Sequence, residues 1–173
     1  MKRLSLYSIY LGLSYLTLSG YAYAQGTLNL TGSIQDSTCA LSQESNDITV
    51  TLGPTTSKQF ITKGDVSQPK DFAIKLENCG KDVKSVRVTF SGTPDPQDSS
   101  VIAVDAGGAT GVGVQILDKN MSPIKLTEAS LPYSITPNSS TVTLNFNARY
   151  IATHLPVTEG IANASGTFVF LYD

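Results

Sequence analysis

Hydrophobic positions in this chain recur at every second residue far more often than at helical spacing. Residues 141–152 place Val142, Leu144, Phe146, Ala148 and Tyr150 on one face, the period-two signature of a half-buried strand. Val86, Val88 and Phe90 alternate with Arg87 and Thr89 in the stretch 83–90. The same alternation marks 48–52, stopped by Gly53-Pro54, then 71–76, which runs into Asn78-Cys79-Gly80, and the final stretch 165–173. Shorter apolar runs at 101–104, 113–117 and 123–126 predict further strands. Gly92-Thr-Pro-Asp-Pro96, the loop 106–111 and the turn 118–120 separate them. Strands at spacings of roughly 8–15 residues, with no helical crossover between them, predict an all-β antiparallel sandwich of immunoglobulin type.

One alternating stretch stands apart from the rest. In 25–38, Leu28, Leu30, Gly32 and Ile34 fall on one side, and Thr27, Asn29, Thr31, Ser33 and Gln35 on the other. Three aliphatic side chains on one face need a surface to bury them. Either the segment is the first strand of this chain's own sandwich, or it is a strand meant for another molecule's sheet. The pattern leaves both open.

Ahead of it lies a secretion signal. Lys2 and Arg3 precede a softened apolar run, 4–18, and Ala22-Tyr23-Ala24 forms a small-x-small cleavage site. The apolar run is shorter than the ~20 residues of a spanning helix. Residues 1–24 are therefore expected to be removed, leaving an exported mature chain of 149 residues from Gln25, enough for one domain with a real core.

That mature chain carries ten basic against fourteen acidic residues, a net charge of −4, with no basic cluster. Phosphate neutralisation needs clustered Lys and Arg, so nucleic acid is not an expected partner. In an oxidising compartment the two cysteines, Cys39 and Cys79, read as one disulfide. The alternative, a metal site, needs three or four ligands at suitable spacing, and His154 is the only histidine; no metal or cofactor is expected.

Catalytic chemistry finds little to use. His154 sits in Thr-His-Leu-Pro, a loop-like context, and no serine lies in a Gly-x-Ser-x-Gly elbow. Acidic residues such as Asp95, Asp98, Asp118 and Glu159 are scattered at turns, where carboxylates serve local hydrogen bonds. The glycines in 108–113 read Gly-Ala-Thr-Gly-Val-Gly. That fits neither phosphate-binding pattern, and no amphipathic helix follows. The chain is not expected to be an enzyme.

Several features in order resemble one family. They are Gly32 seven residues before Cys39; Asn78-Cys79; Gly111-Val-Gly-Val-Gln-Ile-Leu-Asp118; Phe146-Asn-Ala-Arg-Tyr150; Gly160-Ile-Ala-Asn-Ala164, with Gly160 fourteenth from the end; and the penultimate Tyr172. Across the mature chain they resemble the type 1 pilins, subunits of fimbriae assembled by the chaperone–usher route. The resemblance implies an immunoglobulin-like sandwich that lacks its last strand. Residues 25–36 become a donor-strand extension, with Leu28, Leu30 and Ile34 as its apolar pegs and Gly32 where the receiving groove is shallow. Residues 37–173 become the pilin domain.

Gly160, Phe168, Phe170, Tyr172 and Asp173 are then assigned to an acceptor groove and chaperone-binding C-terminal strand, with the terminal carboxylate of Asp173 held by the chaperone. The implied partners are neighbouring fimbrial subunits, a periplasmic chaperone and an outer-membrane usher. The implied destination is an extracellular fimbrium involved in cell adhesion. The extension is short and its flanks resemble those of minor, tip-adaptor subunits. The competing expectation is a self-contained secreted immunoglobulin-like binding module, in which the 27–35 strand pairs within its own chain.

Overall fold

A computed structural model describes Thr31 and residues 37–173; the expected leader and, apart from Thr31, the expected donor extension lie outside the described residues. The longest alternating stretch forms the longest strand. For later reference the strands are β1 (Ala40–Leu41), β2 (Lys70–Glu77), β3 (Ser85–Gly92), β4 (Ile102–Ala103), β5 (Val112–Asp118), β6 (Pro123–Ile124), β7 (Tyr133–Ser134), β8 (Thr141–Ala152) and β9 (Gly166–Tyr172).

Strand β8 organises the larger sheet. It pairs antiparallel with β2, from Lys70↔Ala148 to Glu77↔Thr141, and with β5, from Val112↔Ala152 to Asp118↔Phe146. The order is β1-β2-β8-β5-β4, with β6 also pairing β5. Every residue of β5 is buried. This is why its sequence reads as a near-continuous apolar run, since a strand covered on both faces has no solvent side to make polar. The turn after it is set by Asp118, whose Oδ1 accepts the N–H groups of Asn120 at 2.7 Å and Ser122 at 2.9 Å, as turn carboxylates do.

The second sheet has the order β7-β3-β9. The two sheets meet over an aromatic junction. Phe90 of β3 stands edge-on to Phe146 of β8 with ring centroids 5.1 Å apart, and Phe72 of β2 stacks on Phe146 at 5.6 Å. Both are favoured aromatic arrangements. Ile74, Leu76, Val86, Val88, Leu144 and Phe146 are fully buried around them. Cys39, just before β1, is bonded to Cys79, just after β2, so the disulfide staples the two ends of the β1–β2 corner.

The expected strands 71–76, 83–90, 113–117, 141–152 and 165–173 are present within a residue or two. Two short strands, β1 and β7, have no counterpart in the sequence reading, because two-residue pairings leave no periodicity to read. The stretch 48–52 differs in kind. Its alternation is present, with Ile48, Val50 and Leu52 packed on the core and Thr49 and Thr51 exposed, but among the described residues it belongs to no sheet.

Candidate functional site

The last strand lies at the edge of its sheet among the described residues. Strand β9 is bonded on one side to β3, in the register Val86↔Tyr172, Val88↔Phe170 and Phe90↔Phe168, and ends the order of its sheet on the other. Its apolar residues alternate, as period two requires, with Phe168, Phe170 and Tyr172 facing inward. Phe168 and Phe170 lie edge to face at 5.5 Å, and Phe170 and Tyr172 follow at 6.1 Å, forming a continuous aromatic stripe.

Burial differs sharply across each of these pairs. On β3, Val86 and Val88 are fully buried and Phe90 is 4% exposed. Their partners on β9 are only partly buried. Among the described residues, then, the core is fully covered over β3 and only half covered over β9, the edge strand of its sheet. Val169 and Leu171, on the opposite face of β9, are 61% and 54% exposed.

A second apolar stripe has the same character. Ile48, Val50 and Leu52 are partly buried against the same core. Among the described residues no backbone hydrogen bond involves residues 47–55, although their extended, alternating form is that of a strand. The alternation is visible in the sequence; the absence of a ladder among the described residues is not.

The end of β9 is firmly anchored. The Tyr172 hydroxyl donates to the Cys39 carbonyl oxygen at 3.1 Å, and burial pushes its phenol above the usual range. The backbone of Asp173 accepts from the N–H groups of Lys84 (2.9 Å) and Ser85 (3.2 Å), and its own N–H donates to Ser85 O at 3.0 Å. The Asp173 carboxylate accepts from Ser85 Oγ at 3.1 Å and lies 3.5 Å from the Arg87 guanidinium. The Arg87 contact has no signal in the sequence, since it depends on the register between β3 and the last residues.

The resemblance groups Gly160 with the last strand, but it lies in the loop before β9, which begins at Gly166. There, with φ 155°, it packs directly on the backbone of Gly108 and Ala109. Its lack of a side chain lets the two loops touch there. Leu28, Leu30, Gly32 and Ile34 fall outside the described residues. His154 is exposed in a bend. An open cleft of about 520 Å³ nearby is lined by Ser57, Lys58, Phe60, Ile61, Leu155, Pro156 and Val157. It brings one ionisable side chain, Lys58, and no acid–base pair. Among the described residues no helix is long and apolar enough to cross a membrane.

Two antiparallel sheets in this order, closing on a half-covered last strand, define an immunoglobulin-like sandwich of the pilin class. Comparison with known proteins identifies the family. The family model for fimbrial proteins matches residues 28–173. The S-fimbrial protein subunit SfaG of Escherichia coli O6:K15:H31 (strain 536 / UPEC) is 39% identical over 150 residues, 86% of this chain and 84% of the relative. Among solved structures, the Burkholderia pseudomallei antigen and type I fimbria protein superposes with a TM-score of 0.62 at 36% identity, covering 85% of this chain and 97% of that one. The P pilus rod subunit PapA, at 22% identity, shares the fold with a TM-score of 0.64 over 78% of this chain and 99% of that one. The chain belongs to the fimbrial protein family. It is a structural subunit of an extracellular pilus, not an enzyme.

Proposed function

We propose that this subunit polymerises by donor-strand exchange: its sandwich receives an extended segment from a neighbouring subunit and offers its own residues 25–36 to the next. The observation that carries the reading is the depth mismatch between Phe168, Phe170 and Tyr172 and their fully or almost fully buried partners on β3. The half-buried stripe of Ile48, Val50 and Leu52 would supply the opposite wall of the groove, its backbone making no hydrogen bond among the described residues. An extended strand laid against both would complete hydrogen bonding and burial together, the physics of β-augmentation.

Leu28, Leu30 and Ile34 have the alternation such a strand needs. Burying three aliphatic side chains supplies on the order of 5–8 kcal/mol of gross hydrophobic free energy, from which the ordering of the segment subtracts. Gly32 falls within that alternation, where an absent side chain suits a shallow part of the groove. Before assembly the exposed stripe would need a temporary cover, which is the work of a periplasmic chaperone, with release at an outer-membrane usher. The signal at 1–24 supplies the export this route requires.

The test uses the full mature chain, 25–173, with Leu28, Leu30 and Ile34 all changed to Ser so that its own segment cannot serve as a donor. A synthetic peptide copying residues 25–37 should raise the melting temperature, and the same peptide with those three positions as Ser should not. No response to the apolar peptide or to donor peptides from neighbouring fimbrial subunits means a complete sandwich, and a self-contained binding module becomes the better reading.

The fourteen-residue stretch from Gln25 to Thr38 supports placement as a minor, adaptor-like subunit. Quantifying this chain in purified fibres tests it. A few copies per fibre fit the adaptor role, whereas the bulk of the fibre mass would make it the rod subunit.

A further inference from the structure

A domain that lends its strand to this groove must come to rest close to it. Residues 25–36 are followed after two residues by Cys39. Cys39 is tied to its own domain by the disulfide to Cys79 and, beside it, by the Gly80 N–H donated to Thr38 O at 2.9 Å. A chain spans at most about 3.5 Å per residue, so the donor's domain lies within ~10 Å of the end of its inserted segment. Every strand pair among the described residues is antiparallel. A strand that continues this order beside β9 ends next to the start of β9, not next to Tyr172.

That end of the groove carries an uncovered apolar surface. Thr55, just past the stretch 48–52, and Ala162, just ahead of β9, line one hollow of about 120 Å³, so both walls of the groove lead into it. The hollow shares Phe60 and Val157 with the open cleft that continues to Ile61, Leu155 and Pro156. Ile61 and Ile161, 76% and 73% exposed, are the most exposed large hydrophobic side chains among the described residues. Apolar surface gathered in one place marks a contact site. The other end of β9 is charged, with Lys84 and Arg87 beside Asp173.

We propose that this surface seats the donor's domain: a second copy of this chain, whose segment fills the groove, rests the root of that segment on Ile61, Leu155, Pro156 and Ile161. The inference rests on the groove reading above. The root suits the role. Thr38, Ala40, Pro137 and Asn138 are exposed there, Thr38 and Asn138 being drawn together by their hydrogen bonds with Gly80. None of the four carries a charge that an apolar surface would strip of water. Lys58 and Glu159 rim the patch, and Lys81 and Asp82 follow Gly80. Each side thus has one charge of either sign at its border, where an interface stays solvated. The contact joins unlike surfaces, and a head-to-tail contact that does not close on itself builds a filament. Strand and seat act as two linked attachments, so release of the strand is opposed by the seat.

The test uses the full mature chain throughout. The acceptor has Leu28, Leu30 and Ile34 as Ser and a benzophenone photocrosslinker at position 61 or, as the control, at position 84; the unmodified chain is the donor. In the complex, position 61 is expected to cross-link to the donor within residues 37–42 or 136–139, and position 84 is not. Ile61→Glu in the acceptor should leave the melting shift given by the synthetic 25–37 peptide unchanged, since the peptide brings no domain. It should speed dissociation of the donor chain by about tenfold. A complex in which position 61 stays silent or joins another part of the donor overturns the proposal, as does cross-linking from position 84 or equal dissociation from the Ile61→Glu acceptor. A peptide shift with no complex between chains overturns the second copy as occupant. Absence of any peptide shift overturns the groove itself, and the inference with it.

Discussion

Val88 and Phe170 are register partners across β3 and β9, yet Val88 is fully buried and Phe170 is not. Their substitution should therefore read differently. Val88→Ala removes two buried methyl groups and is expected to cost about 1.5–3 kcal/mol, whether or not the groove is filled. Phe170→Ala should cost less in the open domain and more once a donor peptide is bound. Denaturant unfolding of both variants, with and without the apolar 25–37 peptide, measures the difference.

Loss of the disulfide should weaken the domain substantially. Cys39 and Cys79 are separated by 40 residues, and releasing a loop of that size is worth about 4 kcal/mol when chain entropy is the only contribution. Cys39→Ser with Cys79→Ser should lower the midpoint of unfolding accordingly. An unchanged midpoint would mean the β1–β2 corner is held by other contacts.

Alkaline pH should destabilise the folded subunit. The mature chain has three tyrosines, Tyr133, Tyr150 and Tyr172, and burial raises the pKa of each above the ordinary value of 10.0, with the nearby Asp118 charge adding to the effect at Tyr133. A raised pKa means the folded state resists ionisation more than the unfolded chain does. The stability is thus fully present below pH 10 and is lost as pH rises through the folded values. Phenolate absorbance should appear at higher pH in the folded protein than in the unfolded chain, and its appearance should accompany a loss of stability. Ordinary titration at pH 10 with the fold intact would contradict this.

Thr153 should accept valine with a gain. It is 2% exposed, and its Oγ1 is buried with no hydrogen-bond partner among the described residues. A buried unsatisfied hydroxyl carries a penalty of about 1–3 kcal/mol, which an apolar group of the same shape avoids. Thr153→Val is expected to raise the melting temperature. A fall would reveal a partner for the hydroxyl, such as a buried water.

Gly160→Ala should be harmful for a reason unconnected with the groove. The added Cβ would meet backbone atoms of both Gly108 and Ala109, with the Gly108 carbonyl carbon at 2.6 Å. Backbone cannot move aside as a flexible side chain does, so a loss of about 1–3 kcal/mol is expected. Peptide binding to the groove should survive in the folded fraction, measured by the same melting shift. Loss of binding at unchanged stability would return Gly160 to the groove.

Much of the fold was legible because strand periodicity is local. The faces of β3 and β8 follow from alternate residues alone, and 141–152 matches its strand end to end. The paired cysteines were legible from their number and the expected compartment. Strands β1 and β7 were not, since two residues carry no period. The candidate site was half legible. Phe168, Phe170 and Tyr172 announce a buried face, but a buried face and a groove have the same alternation. Stretch 48–52 is the converse, with strand chemistry and no ladder among the described residues.

By itself, the sequence determined which residues point inward, where the chain turns, and that the fold is an all-β sandwich, because those properties depend on neighbours one or two residues apart. The tertiary structure alone decided that, among the described residues, β9 ends its sheet half covered, that Gly160 packs on the Gly108–Ala109 loop, and that Asp173 meets Arg87. It also placed the Tyr172 hydroxyl on Cys39. Each of these arises where segments dozens of residues apart settle into one register, and no local pattern carries that information.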